Sequence, residues 1–220
     1  MPRAALFDVD GTLIDSNHLH VVTWWEALRQ GGHSVRMADI HRAIGLGSED
    51  LLAHLLGDDR DSAQDTTVSA AHKTLYATYF ERLHAFDGAA DLLRTLAERE
   101  WRVVLATSAG GEELSAMRRA LDADDALTAE ARADQVDAGK PAPDPVEEAL
   151  RQAGADAKDA VFVGDSVWDM EAASRAGVRA VAVLSGGVPR AALEAAGAGA
   201  VYSSVAELLS DLDTGPFSAV

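Results

Sequence analysis

The chain opens on Leu6-Phe7-Asp8-Val9-Asp10-Gly11-Thr12, with two aspartates two residues apart at the end of a short apolar run. A strand projects side chains i and i+2 from one face, so Asp8 and Asp10 are expected to point together if extended geometry persists. Gly11 and Thr12 then break the strand. Adjacent carboxylates repel unless a cation or a shared proton relieves them. The pair therefore suits a divalent metal with a nucleophile or an acid/base group. Three later segments carry matching chemistry. Thr107 and Ser108 end an apolar run with hydroxyls that can hydrogen-bond phosphate oxygens. Lys140 lies in a Gly-Lys-Pro-Ala-Pro loop ahead of a helix. Asp165 follows the run Ala160-Val161-Phe162-Val163, and Asp169 stands one turn into the next helix. Each segment alone also reads as a turn or a helix cap. Pro141 after Lys140 excludes a phosphate-binding loop of the GxxxxGK[ST] type.

These residues need elements to hold them. From Glu98 onward, short apolar runs alternate with amphipathic helical patterns. Strands are expected at 101–106, 160–163, 178–183 and 200–202, and helices at 111–121, 146–153, 167–176, 189–196 and 205–212. With the first strand from Ala4, that alternation predicts an α/β fold, a doubly wound parallel sheet with helices on both faces. In such sheets ligands bind beyond the carboxyl ends of the strands, where Asp8, Thr107 and Asp165 fall. Residues 16–85 interrupt the pattern with helices at 18–30, 37–44 and 48–56 and one long helix over 62–83. The expected organisation is an α/β core from residues 1–15 and 86–220 with a helical insertion at 16–85. The tail 214–220 is expected to be loose.

Composition narrows the partners. The 220 residues are 48% hydrophobic and 25% charged, ordinary for a chain that buries a sizeable core. The formal net charge of −17 argues against a nucleic-acid surface, and most of the acidic excess lies outside 16–85. There is no cysteine, so disulfides and thiolate metal sites are excluded. No secretory signal or membrane-length apolar run is apparent, and a cytoplasmic protein, monomeric or homodimeric, is expected.

The set DVDGT at 8–12, Thr107, Lys140, Asp165 and Asp169 resembles the haloacid-dehalogenase-like superfamily over nearly the whole chain. The closest likeness is to its helical-cap branch, which includes phosphoglycolate phosphatase-like and β-phosphoglucomutase-like proteins. The resemblance implies a Rossmann-like core with an inserted α-helical cap domain. It implies that Asp8 is the nucleophile and Asp10 the general acid/base. Thr107 and Ser108 would bind phosphate, and Lys140 would serve both catalysis and phosphate binding. Mg²⁺ would be held by Asp8, the backbone carbonyl of Asp10 and Asp165, with Asp169 behind them. From the cap, His20, Gly47 and Ser48 would face the substrate, with Gly45–Ser48 as the loop concerned. His18 and His20 are expected to serve packing and hydrogen bonding, Trp24 the core, and Lys73 a solvated face. The implied activity is hydrolysis of a small phosphorylated metabolite through an aspartyl-phosphate. The alternatives are a sugar-phosphate mutase or phosphotransferase, and a non-catalytic regulatory protein with the fold retained. Gly164 before Asp165, where mutases carry Glu, favours hydrolysis; Asp10 argues against a dehalogenase. The chain departs from the family pattern at Asp87-Gly88, often Pro-Gly, and at Trp168, which is expected to narrow the edge of the site.

Overall fold

The computed structural model describes residues 2–57, 60–132 and 135–218. The short apolar run after Arg3 suits a strand buried on both faces. It forms β1 (Arg3–Phe7), between β2 (Trp101–Thr107) and β4 (Ala160–Gly164). With β3 (Leu127–Arg132), β5 (Arg179–Val183) and β6 (Ala200–Tyr202), the sheet order is β3-β2-β1-β4-β5-β6, all parallel. The chain winds outward from β1 in one direction and restarts at β4 in the other. Strand order thus reverses between β1 and β4, and a crevice opens at their carboxyl ends.

Alternation along the strands sends Ala5, Phe7, Val103, Leu105, Val161 and Val163 into one apolar layer. There they meet α5 (Ala89–Glu98), α6 (Gly111–Leu121) and α10 (Val205–Ser210). Ala4, Leu6, Val104 and Phe162 face the other way, onto α7 (Asp144–Ala153), α8 (Val167–Arg175) and α9 (Arg190–Ala195). A third apolar cluster belongs to the helices between β1 and β2: α1 (Asn17–Gln30), α2 (Met37–Ala43), α3 (Ser48–Leu56) and α4 (Asp65–Ala77). Its centre holds Trp24, Leu28, Ile40, Leu51, Leu52 and Val68. The chain leaves the sheet and returns to it side by side. Ile14 bridges Ala85, Phe86 N–H donates to Leu13 O at 2.9 Å, and Asp15 N–H to His84 O at 3.2 Å.

The structure departs from the sequence reading in four places. The expected helix over 62–83 is a single turn at Ser62–Gln64, then α4, then a turn at Phe80–Arg82. It stops where the Thr78 hydroxyl donates to Leu75 O at 2.7 Å, a local bond that competes with the helix ladder. Two elements are additional: α5, and β3 at the sheet edge. The tail is not loose over 214–218. Phe217 is buried, its ring centroid 5.0 Å from that of Trp101 and 6.5 Å from that of Phe7, because an apolar slot on one face of the sheet, over β1 and β2, accepts it. Residues 219–220 of that tail lie outside the described residues.

Candidate active site

β1 ends at Phe7 and a tight turn follows, in which the N–H groups of Thr12, Leu13 and Ile14 all donate to Val9 O. Extended geometry does not persist, so Asp8 and Asp10 acquire different partners. Asp8 Oδ1 lies 2.5 Å from Lys140 Nζ, and Asp8 Oδ2 lies 3.3 Å from Thr12 Oγ1. Lys140 also lies 2.7 Å from Asp169 Oδ1. The other oxygen of Asp169 accepts from the Ser166 hydroxyl at 2.7 Å and from Ser166 N–H at 3.0 Å, closing a capping box at the start of α8. One carboxylate thus fixes both a helix end and the lysine. Asp165 accepts from Thr12 Oγ1 at 3.0 Å and from Asn17 Nδ2 at 2.9 Å.

Asp8, Asp165 and Asp169 each bring a carboxylate oxygen within 4.8 Å of the others, and all three are buried. Burial raises the Asp8 pKa to about 7 against the opposing pull of Lys140, and the Asp169 and Asp10 charges add to the rise. Burial, with Asp8 and Asp169, holds Asp165 well above the usual carboxylate range. Burial alone would lower Lys140, but Asp169 and Asp8 raise it, so the ammonium stays charged. One ammonium among three buried carboxyl groups does not balance them, so Asp8 and Asp165 resist ionisation unless a further cation joins them. A donor set made only of carboxylate oxygens fits a hard divalent cation. Backbone presses closely on this cluster. A Cβ at Gly186 would fall 1.6 Å from Asp165 Oδ2, and one at Gly11, whose φ is +74°, would fall 2.2 Å from Asn17 Nδ2.

Asp10 faces a second group. Its Oδ1 accepts from Ser16 Oγ at 2.5 Å and lies 2.9 Å from His20 Nε2. His20 Nδ1 in turn lies 3.2 Å from His72 Nε2, and the Tyr76 ring stacks 3.9 Å from the His20 ring. Burial alone would lower the His20 pKa, yet Asp10 raises it. Burial alone would raise Asp10, yet His20 and Ser16 lower it. The two form an ion pair that holds one proton. His72, buried and beside that charge, is pushed down to about 2 and stays neutral. Glu113 completes the group, 3.9 Å from His20 Nε2. Burial raises it to about 7 against the pull of His20.

Both groups open onto one cavity of about 550 Å³, lined from the core by Asp8, Asp10 and the segment 108–113, and from the helical segment by His20, Trp24, Ile44–Ser48, His72, Lys73 and Phe80. A neighbouring cavity of about 470 Å³ joins Gly47 and Ser48 to Thr107, Ser108 and Lys140. Thr107 is buried and accepts from Ala109 N–H at 3.0 Å. Asp8, Asp10, Thr107, Ser108, Lys140, Asp165 and Asp169 therefore converge on the crevice, with His20, Gly47 and Ser48 facing it across the cavity. His18 does not join them; it is exposed and stacks on His41. His20 makes the expected hydrogen bond, to Asp10, and Glu113 brings a second carboxylate to it. Trp24 is in the apolar cluster and also lines the cavity. Trp168 lines neither cavity. Its indole donates to Arg42 O at 3.0 Å and its ring packs against the helical cluster, edge-on to His54.

Sequence reasoning missed Asn17, His72, Tyr76, Glu113 and Gly186. All but Gly186 lie on helices, where spacing gives a face but not its partner. Gly186 follows a strand, and only the close approach of Asp165 gives it meaning.

A parallel α/β sheet with an acidic, lysine-bridged site at its switch point, covered by an inserted helical segment, defines a class of hydrolases. The chain belongs to the haloacid dehalogenase-like hydrolase family, whose model matches residues 2–177. Over 217 residues it is 30% identical to a phosphoglycolate phosphatase of Rhodospirillum rubrum, covering 94% of this chain and 90% of that one. It is 26% identical to the pyrophosphatase PpaX of Bacillus pumilus, covering 82% of each. A crystal structure of a hydrolase from Pseudomonas syringae superposes with a TM-score of 0.91 at 34% identity, covering 96% of this chain and 98% of that one. The first relative is named for hydrolysis of a phosphoric monoester and the second for hydrolysis of pyrophosphate, and both names agree with a phosphate-releasing hydrolase.

Proposed function

We propose that this protein is a Mg²⁺-dependent phosphatase that hydrolyses a small phosphomonoester through an aspartyl-phosphate on Asp8. The observation that carries this reading is Asp8 itself, a carboxylate at the switch point, bonded to Lys140 and separated in its contacts from a second carboxylate, Asp10, that lies 2.9 Å from His20 Nε2. Such a division of partners suits one aspartate for attack and the other for proton transfer.

Lys140 and the hydroxyls of Thr107 and Ser108 bind and orient the phosphoryl oxygens. Mg²⁺, held by Asp8, Asp165 and the Asp10 backbone carbonyl with Asp169 behind, supplies when bound the positive charge that offsets the carboxylates and the phosphoryl oxygens. An Asp8 oxygen attacks phosphorus as the bond to the ester oxygen breaks. The proton of the pair, held on His20, passes through Asp10 to the departing alkoxide. Asp10 then takes a proton from water, whose oxygen attacks phosphorus. The bond from Asp8 to phosphorus breaks and inorganic phosphate leaves. Residues 16–85 act as a cap that excludes bulk water and brings His20 and Gly45–Ser48 to the leaving group.

The test is a screen of phosphorylated metabolites for released phosphate, in Mg²⁺ and in EDTA. Release in Mg²⁺ without any bisphosphate activator, its loss in EDTA and its return on adding Mg²⁺ are expected. Release indifferent to EDTA would overturn the metal dependence. Isomerised sugar phosphate alone, formed only after bisphosphate priming, would make the protein a mutase.

A further inference from the structure

Glu113 stands in the first turn of α6, where an acidic side chain ordinarily serves the helix N-terminus. Here its carboxylate turns into the main cavity. It shares a neighbourhood with Asp10 and His20, with one ligand atom of each residue within 4.8 Å of the others. It is not part of the Asp8–Asp165–Asp169 cluster. On the phosphatase reading, on which this inference rests, that difference assigns it to one half of the substrate. The phosphoryl group sits against Asp8. The leaving oxygen takes its proton from Asp10, so the atoms bonded to that oxygen extend past Glu113.

The charges around that half are few. Among the residues lining the cavity, Lys73 is the one lysine or arginine; it is exposed, and its charge is close enough to Glu113 to offset part of that carboxylate's burial. His20 is paired with Asp10, and His72 is neutral. Glu112 lines the cavity from an exposed position. We propose that Glu113 selects the alcohol half of the substrate, favouring phosphate esters of neutral, hydroxyl-bearing alcohols such as polyols and sugars over esters whose leaving group carries an anion. A carboxylate accepts a hydrogen bond from a hydroxyl, and a carboxyl group also donates one. Either form of Glu113 therefore pairs with an alcohol. A carboxylate on the leaving group would stand against the Glu113 carboxylate and be repelled by it. That is selection by a built-in repulsion as well as by a contact.

The test compares glycerol 3-phosphate with 2-phosphoglycolate, in Mg²⁺, on the wild type and on Glu113→Gln, which keeps the shape and removes the charge. The wild type is expected to favour glycerol 3-phosphate in kcat/KM. Glu113→Gln is expected to shrink that ratio about tenfold, as loss of one like-charge contact would. An unchanged ratio, or a wild type that favours 2-phosphoglycolate, overturns the proposal while leaving the phosphatase reading intact. Calorimetric binding of both esters to Asp8→Asn, with and without Glu113→Gln, gives a readout apart from turnover. If neither ester is hydrolysed, the fault lies with the reading of the reaction, and a Gln-dependent shift in relative affinity still supports Glu113 as the selector. No such shift, or binding of neither ester, counts against it.

Discussion

At the scale of single residues, the site depends on carboxylates that each do two things. Asp169 caps α8 with one oxygen and meets Lys140 with the other. Asp165 is held by Thr12 and Asn17 while Gly186 backs it so closely that no Cβ fits. Gly186→Ala must therefore displace Asp165. Calorimetry should find Mg²⁺ affinity reduced roughly 10- to 100-fold with the circular dichroism spectrum retained, the range typical of disturbed support for a metal ligand. Undiminished affinity would remove Asp165 from the metal site. His72 gives a pH dependence of stability. Its pKa is about 2 when folded against an ordinary 6.5, so between those values the unfolded chain binds a proton that the native state refuses. Stability then rises with pH across that window, and below 6.5 it is lost at up to about 1.4 kcal/mol per pH unit. His72→Gln keeps an acceptor for His20 Nδ1 and removes this titration. Its unfolding free energy should fall less steeply than that of the wild type between pH 6.5 and 5; parallel curves would contradict a neutral buried His72. The sequence made Asp8, Asp10, Thr107, Lys140, Asp165 and Asp169 legible because chemically able side chains follow apolar strand runs or sit in a Gly/Pro loop. Glu113 was hidden because an acidic residue in a helix's first turn has an ordinary explanation already.

At the scale of elements, α2 is tied to the core at two points. Trp168 donates to Arg42 O, and His41 Nε2 lies 2.8 Å from Gly186 O, beside the same backbone that presses on Asp165. A substituent at Gly45 would meet Ser166 and Trp168, so the loop into the cavity also rests on α8. Trp168→Ala deletes a hydrogen bond and apolar packing and should cost roughly 2–4 kcal/mol, felt first in α2 and α3. Amide exchange should accelerate over 37–56 more than in β1 and β4; uniform acceleration would show that the indole supports the whole fold and not this junction. Strands β1, β2, β4 and β5 were readable because runs buried on both faces are mostly apolar, and half-buried β6 because Ala200-Val201-Tyr202 is a short apolar run between helices. Edge strand β3 was not, since Leu127–Arg132 is half-buried and mixes Thr, Glu and Arg among small residues. Helix α5 carries a clear stripe in Leu92, Leu93 and Leu96, but it lies where the helical insertion gives way to the sheet, so its helical period did not mark a new layer.

At the scale of the whole molecule, winding outward from β1 and restarting at β4 brings residues 8, 107, 140 and 165 to one edge. No local pattern could do so, and strand order is the part of the fold that the alternation of elements left open. The same sheet explains the ordered tail. Phe217 seals the layer containing Phe7 and Trp101, and Phe217→Ala should lower stability by roughly 3–5 kcal/mol in urea unfolding. A change below about 1 kcal/mol would mean that the slot collapses or that the tail adds little. None of the described helices is long and apolar enough to cross a membrane. The net charge of −17 makes the lysine-bridged crevice an unusual place for a phosphate ester, and Lys140, a cation and local donors at Asp8 would reverse the field there. Everything in the account passes through the Asp8 carboxylate. The most direct test is phosphate release from the best ester of the screen, in Mg²⁺, by the wild type and by Asp8→Asn. The amide cannot form the aspartyl-phosphate, so release by the variant should fall at least about 1,000-fold, to background, with melting temperature and Mg²⁺-free spectrum unchanged. Release by a pure, folded Asp8→Asn protein within about tenfold of the wild type would contradict the account.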